Sequence, residues 1–278
     1  MKLEKIWAVY FSGTGTTRRT VERIAGGIAS RLNLSAESVD FSRPAVRQET
    51  LGFGEKDLVV FGTPVYAGRV PNVLLPFLRE RIVGGGALAV PVVLFGNRNY
   101  DDALIELRNI LAADGMHPIA AGAFVGEHSF SRVLGADRPN AEDEALMDEF
   151  AARVAALVAG LDAAPVKSVA VRGQEPLRPY YTPRDRAGNP INILKVKPKT
   201  DLSRCGGCGL CADLCPMGSI DPADVSAVRG ICIKCCACVK GCPTGAKFFD
   251  DAGYLYHQHE LEAQYARPAE NEVFYIQL

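Results

Sequence analysis

The first 204 residues of this 278-residue chain contain no cysteine, and all nine cysteines fall between Cys205 and Cys242. A secreted disulfide scaffold spreads its bridges through a small chain, so this crowding argues against one and points to metal binding. Charge of one sign is missing too. With 31 Lys and Arg against 32 Asp and Glu, the formal net charge of -1 leaves no excess for holding a nucleic-acid backbone or an anionic membrane surface. No stretch approaches eighteen uninterrupted apolar residues, so no membrane-spanning helix is expected. The run Ile6 to Phe11 is too brief for a signal-peptide core and no small-residue cleavage site follows it. It reads as a first strand, and the expected location is the cytoplasm. Two phosphate-binding signatures are also lacking, the G-x4-G-K-[ST] loop and the dinucleotide G-x-G-x-x-G.

What is present is an alternation of apolar strands and helical periods. Strands are expected at Ile6 to Phe11, Ser35 to Asp40, Asp57 to Gly62, Ala87 to Asn97 and His117 to Val125. Helices are expected at Thr17 to Leu32, Asn72 to Arg81, Tyr100 to Asp114 and Ala141 to Gly160. Phe41 to Lys56 leaves little room for one. This order predicts an α/β domain over 1–162, a doubly wound five-stranded parallel sheet with helices on both faces. Residues 163–200 carry six prolines and little periodicity, which makes them a linker. Its length and the pair Tyr180 and Tyr181 suggest a linker pinned to something. A cysteine module follows over 201–250, and a tail over 251–278 with a short helix near His257 to Ala266 and an extended end.

Cys205, Cys208, Cys211, Cys215 and Pro216 spell C-x2-C-x2-C-x3-C-P, and Cys232, Cys235, Cys238, Cys242 and Pro243 spell it again. Three closely spaced thiolates can wrap one face of an iron–sulfur cubane, and the fourth ligand comes from elsewhere. Two zinc sites are the alternative, although zinc modules present separated pairs. Residues 201–250 resemble a bacterial ferredoxin with two [4Fe-4S] clusters, a small α+β fold. That resemblance implies a crossed ligand set: Cys205, Cys208, Cys211 and Cys242 for one cluster, Cys232, Cys235, Cys238 and Cys215 for the other. Cys236 has no place in the pattern and reads as a small buried thiol.

Between the first strand and first helix stands Ser12-Gly13-Thr14-Gly15-Thr16-Thr17. Backbone N–H groups at a helix start, glycines that admit close approach and hydroxyls on Ser12, Thr14 and Thr17 suit a phosphate. The stretch resembles the [ST]-x-T-G-x-T loop with which flavodoxins hold FMN phosphate. The crevice at the carboxyl ends of the middle strands would then take the flavin ring. Two loops follow those strands, and the resemblance implies that they sandwich it: Thr63, Pro64, Val65, Tyr66 and Gly68 from one, Gly96, Asn97, Asn99 and Tyr100 from the other. Arg69 and Arg98 lie in the same loops, and a cation near the ring favours reduced flavin. His128, in the loop after the fifth strand, is a candidate proton donor or substrate contact; His117, His257 and His259 carry no functional expectation.

As a whole the chain resembles flavodoxin–ferredoxin fusion proteins of the EFR1 family. The expected cofactors are FMN and two [4Fe-4S] clusters, and an anaerobic host is implied. The expected function is electron transfer between flavin and clusters as an oxidoreductase, with a redox protein or a small molecule at the far end. One alternative is an FMN-dependent reductase of a small organic substrate fed by the clusters. Another is a zinc-stabilised FMN-binding module with a sensory or interaction role.

Overall fold

The computed structural model describes residues 1–277; Leu278, the end of the expected tail, lies outside the described residues. Five parallel strands form as the apolar runs require: β1 (Lys5–Tyr10), β2 (Ala36–Asp40), β3 (Asp57–Pro64), β4 (Leu88–Phe95) and β5 (Ala120–Val125). Their order is β2-β1-β3-β4-β5. The central β4 is buried along its whole length, because helices cover both faces. Helices α1 (Thr16–Leu32) and α4 (Ala141–Ala159) pack Ile24, Ile28, Phe150 and Val154 on one face, and α2 (Leu75–Glu80) and α3 (Ala103–Ala113) pack Phe77, Leu78, Leu104 and Leu107 on the other. The chain winds one way from β1 to β2 and the other way from β3 onward, so a crevice opens at the carboxyl ends of β1 and β3.

Between β2 and β3 there is a 3-10 turn, Val46–Gln48, and a two-residue strand, Leu51–Gly52, paired with Ile82–Val83, but no full helix, in keeping with the short spacing. The strand expected from His117 is interrupted at Ile119, with His117–Pro118 paired to β4 ahead of β5. The extended end of the tail joins this sheet, a pairing not expected from the sequence. In the tail, β6 (Glu272–Tyr275) runs antiparallel to β5 with Val273 opposite Gly122. It closes an edge that would otherwise present unpaired backbone groups.

The linker is fastened over the helical layer of α3. Val169 is buried, and its N–H donates to Pro118 O at 2.8 Å. Asp102, fully buried just before α3, accepts the N–H of Gln174 at 3.0 Å and of Arg178 at 2.8 Å, and pairs with the Arg178 guanidinium. That guanidinium holds the Asp102 carboxyl below the usual carboxylate range. Asp102→Ala removes every acceptor in this knot. We expect a loss of about 2 kcal/mol, since two backbone donors lose their partner while Arg178 rehydrates. Urea denaturation should report it, and limited proteolysis should then cut near Arg178.

Beyond the linker, Lys199–Thr200 pairs antiparallel with Lys247–Phe248 and brackets the cysteine module with its short helices α5 (Leu210–Asp213) and α6 (Ala237–Lys240). Helix α7 (Ala252–Gln264), capped by Asp251, returns the chain toward β6. Among the described residues no helix is long and apolar enough to cross a membrane.

Candidate functional site

All nine cysteines are free. The fold sorts eight of them into two sets. Cys205, Cys208, Cys211 and Cys242 line one cavity, and Cys215, Cys232, Cys235 and Cys238 line another together with Cys236, so the fourth cysteine of each run stands with the other run's three. The halves match in detail. Cys215 Sγ accepts the N–H of Ser219 at 3.3 Å and Cys242 Sγ that of Ala246 at 3.3 Å, the same offset in each run. The sulfurs stand around their cavities: among the described residues no three His, Cys, Asp or Glu side chains converge closely enough to hold one metal ion. The C-x2-C-x2-C-x3-C spacing of each run fits a multi-iron cluster better than the separated pairs of a tetrahedral zinc site. Burial pushes the Cys235 and Cys238 thiols up to about 12, so a metal must displace their protons on binding. Cys236 is buried as expected of a small thiol, its Sγ 3.3 Å from Tyr254 Oη.

Ser12 to Thr17 form the turn from β1 into α1. Gly15, with φ of +87°, precedes the helix at its cap position and has no side chain to spend on the first N–H groups, which suits an anion there. Ser12 Oγ accepts the Arg18 N–H at 3.2 Å and keeps its own proton to donate. Thr14 is exposed, Gly15 and Thr16 are half-buried, and Thr17 is buried. Gly13 has a second neighbour. A Cβ placed on it would lie 3.0 Å from Cys235 Cβ and 3.6 Å from Tyr66 Oη. The phosphate-type loop and a cysteine of the second run therefore meet at a position where a side chain does not fit.

Beside this seam lies a cavity of about 770 Å³, within the ~300–1,000 Å³ range of small-molecule and cofactor sites. Several distant parts of the chain build it, His128 to Phe130 of the loop after β5 and His257 and Leu261 of α7 among them. Val65, Tyr66, Gly68, Gly96 and Asn99 come from the loops after β3 and β4, Tyr180 to Thr182 and Pro190 to Leu194 from the linker, and Ile231 to Lys234 from the second cysteine run. Its mostly apolar wall with a few polar groups suits a flat ring. The linker is thus a wall as well as a spacer: Tyr180 Oη donates to Val70 O at 2.8 Å and the Tyr181 N–H to Ala67 O at 2.8 Å. A second cavity, about 670 Å³, shares Arg98, Tyr181 and His257 with the first.

Four expected ring contacts lie elsewhere. Tyr100 is fully buried against Phe95 and donates to Glu272 Oε2 at 2.8 Å, so it anchors β6. Asn97 spends its amide on the tail, donating to Tyr265 O and Arg267 O and accepting the Ala269 N–H. Thr63 is buried within β3 with no partner for Oγ1, and Pro64 is absent from the cavity wall. The expected influence of the arginines is also corrected. Arg69 pairs with buried Glu106 and Arg98 with Asp101, so neither offers an uncompensated charge. His257, dismissed from the sequence, lines the cavity because α7 folds back over the linker. Nothing local signals that contact.

His128 does reach the cavity, where it fills the space beside Gly96. Its Nδ1 accepts the Phe130 N–H at 3.1 Å, which leaves Nε2 to carry the proton. Burial, then the charges of Lys240, His257 and Arg98, pushes it down to about 3. The loop is held by Lys240 of α6, which pairs with Glu127 and donates to His128 O at 2.7 Å and Ser131 O at 2.8 Å. His128 should stay neutral from about pH 8 to 5, with flat imidazole NMR shifts. Since the fold excludes a proton that the unfolded chain takes up near pH 6.5, this residue's contribution to stability is full above that pH and is lost as pH falls toward 3.

Two family models match the chain. A flavodoxin domain model matches residues 8–103 and a 4Fe-4S binding domain model matches residues 198–221. None of the curated proteins compared matches the chain. Among solved structures, a flavodoxin from the domain Archaea is 17% identical, with 56% of this chain and 99% of that one covered and a TM-score of 0.41. An oxidoreductase from Corynebacterium diphtheriae is 14% identical, with 58% and 100% covered and a TM-score of 0.38. The rubredoxin oxygen:oxidoreductase of Desulfovibrio gigas is 16% identical, with 58% and 38% covered and a TM-score of 0.36. The chain carries a flavodoxin domain at its N-terminal end and a 4Fe-4S ferredoxin motif toward its C-terminal end. Together they define a flavin and iron–sulfur protein with a role in electron transfer.

Proposed function

We propose that this protein passes electrons between an FMN, its phosphate at Ser12 to Thr17 and its ring in the cavity beside Tyr66, Gly68, Gly96 and Asn99, and two [4Fe-4S] clusters on the crossed cysteine sets. FMN exchanges one or two electrons and each cluster one. The chain's own work is to hold these groups close and dry. The single observation that carries the reading is the seam: Gly13 abuts Cys235, and Cys232 lines the same cavity as Tyr66. The set Cys215, Cys232, Cys235 and Cys238 is therefore the one beside the flavin, and the set with exposed Cys208 is the one nearer a partner. The division into a flavin domain over 1–162, a linker over 163–200 and a cluster module over 201–250 is part of this proposal, with β6 of the tail assigned to the flavin domain. So is membership of the flavodoxin–ferredoxin fusions of the EFR1 family.

The test is anaerobic reconstitution with FMN, iron and sulfide, followed by rapid mixing with a one-electron reductant while flavin and cluster absorbance are followed. The two should bleach with linked kinetics. Independent bleaching, or zinc in place of iron in the native protein, would overturn the reading. A second reading, reduction of a small organic substrate, is favoured by the adjoining cavity that shares Arg98 and Tyr181 with the flavin cavity. Turnover of an added organic acceptor without a partner protein would support it.

A further inference from the structure

The two cysteine runs are near copies, yet they differ at two positions where the backbone favours glycine. Gly207 and Gly209 of the first run have φ of +67° and +75°. Their counterparts in the second run are Lys234 and Cys236, at +55° and +60°. A side chain there carries a steric cost that glycine avoids. Cys236 turns inward to Tyr254. Lys234 lines the flavin cavity instead, and its Nζ donates to Leu194 O at 3.1 Å and Cys232 O at 2.9 Å. Both acceptors are neutral carbonyls. The cavity wall contains no aspartate or glutamate, and its other permanent cation, Arg98, is paired with Asp101. Among the described residues, Lys234 is therefore the cation of this wall that no carboxylate pairs, on the strip between Cys232 and Cys235.

We propose that Lys234 is the group by which this chain favours reduced over oxidised flavin, an inference that rests on the function proposed above. Adding electrons to a flavin adds negative charge, and an ammonium held in a largely apolar wall stabilises that charge more than it would in water. The strained backbone at Lys234 is consistent with a side chain kept for its position. Its place in the cluster-side wall puts the charge where electrons arrive.

The test compares Lys234→Gly, Lys234→Arg and Asn192→Asp, all loaded anaerobically, by titrating oxidised and reduced FMN and recording the flavin reduction potential. Lys234→Gly removes the charge and restores the residue the backbone favours, so folding is not expected to suffer. Binding of reduced FMN should weaken at least tenfold relative to oxidised FMN, and the potential should fall. Lys234→Arg should keep both near wild type. Asn192→Asp, which adds a carboxylate at an exposed position of the same wall, should shift both in the direction of Lys234→Gly. If the variants load flavin and iron normally and the ratio of affinities is unchanged, the inference is overturned and the function stands. If the wild-type protein takes up neither flavin nor iron, both are overturned.

Discussion

On the proposed crossed ligand sets, Cys215→Ala should empty the cluster built on the second run, and Cys242→Ala the cluster built on the first. Each change should lower bound iron by about half, because each set shares four thiolates and loses its cluster when one is removed. The pairing shows in double variants. Cys215→Ala with Cys235→Ala damages one set only, and should lose no more iron than either single change. Cys215→Ala with Cys208→Ala damages both sets, and should lose nearly all of it. A ligand arrangement confined to each run predicts the reverse, so the comparison decides between them. The functional consequence differs too. Without Cys215 the centre beside the flavin is gone and flavin–cluster transfer should collapse, whereas without Cys242 the flavin keeps its neighbour and loses the outer relay. The experiment follows from the two cavities, in each of which the fourth cysteine of one run stands with the first three of the other run's motif, Cys236 being an additional lining thiol of the second.

Gly13→Val should weaken FMN binding roughly ten- to a hundredfold. The new Cβ would stand 3.0 Å from Cys235 Cβ, tighter than ordinary contact, with Tyr66 Oη behind it at 3.6 Å. Overpacking of this kind costs about 1–3 kcal/mol, which falls on whichever side yields. The turn must shift away from Cys235 or the cysteine run must back off, and either displacement spoils the seam. Flavin fluorescence titration reads the first effect, and slower flavin–cluster equilibration reads the second. Thr14→Val is the control, since Thr14 is exposed and loses only a hydroxyl, and it should weaken FMN less. Wild-type flavin affinity and transfer in Gly13→Val would mean that loop and cysteine run do not pack together in solution.

How much of this was legible beforehand depends on the range of the interaction. Strand and helix order, the turn from Ser12 into α1, and the cysteine runs are local patterns, and all were readable. Tyr66 and Tyr100 looked equivalent because each sits in a loop after a central strand. Only packing separates them, with Tyr66 at the cavity and Tyr100 turned inward to Glu272, more than 170 residues along the chain. The same holds for Arg69 and Arg98. As bare residues they were cations near a ring, and their partners Glu106 and Asp101 neutralise them in the fold.

From the sequence alone came the parallel α/β domain, its phosphate-type turn and eight cysteines at metal-ligand spacing, because hydrophobic period, glycine at a helix start and cysteine spacing act over a few residues. The tertiary structure decided that linker and cysteine run wall the large cavity beside Tyr66, that the tail supplies a sixth strand, and that Lys234 is the cation of that wall left without a carboxylate among the described residues. These depend on contacts between segments far apart in the chain, which no local pattern encodes.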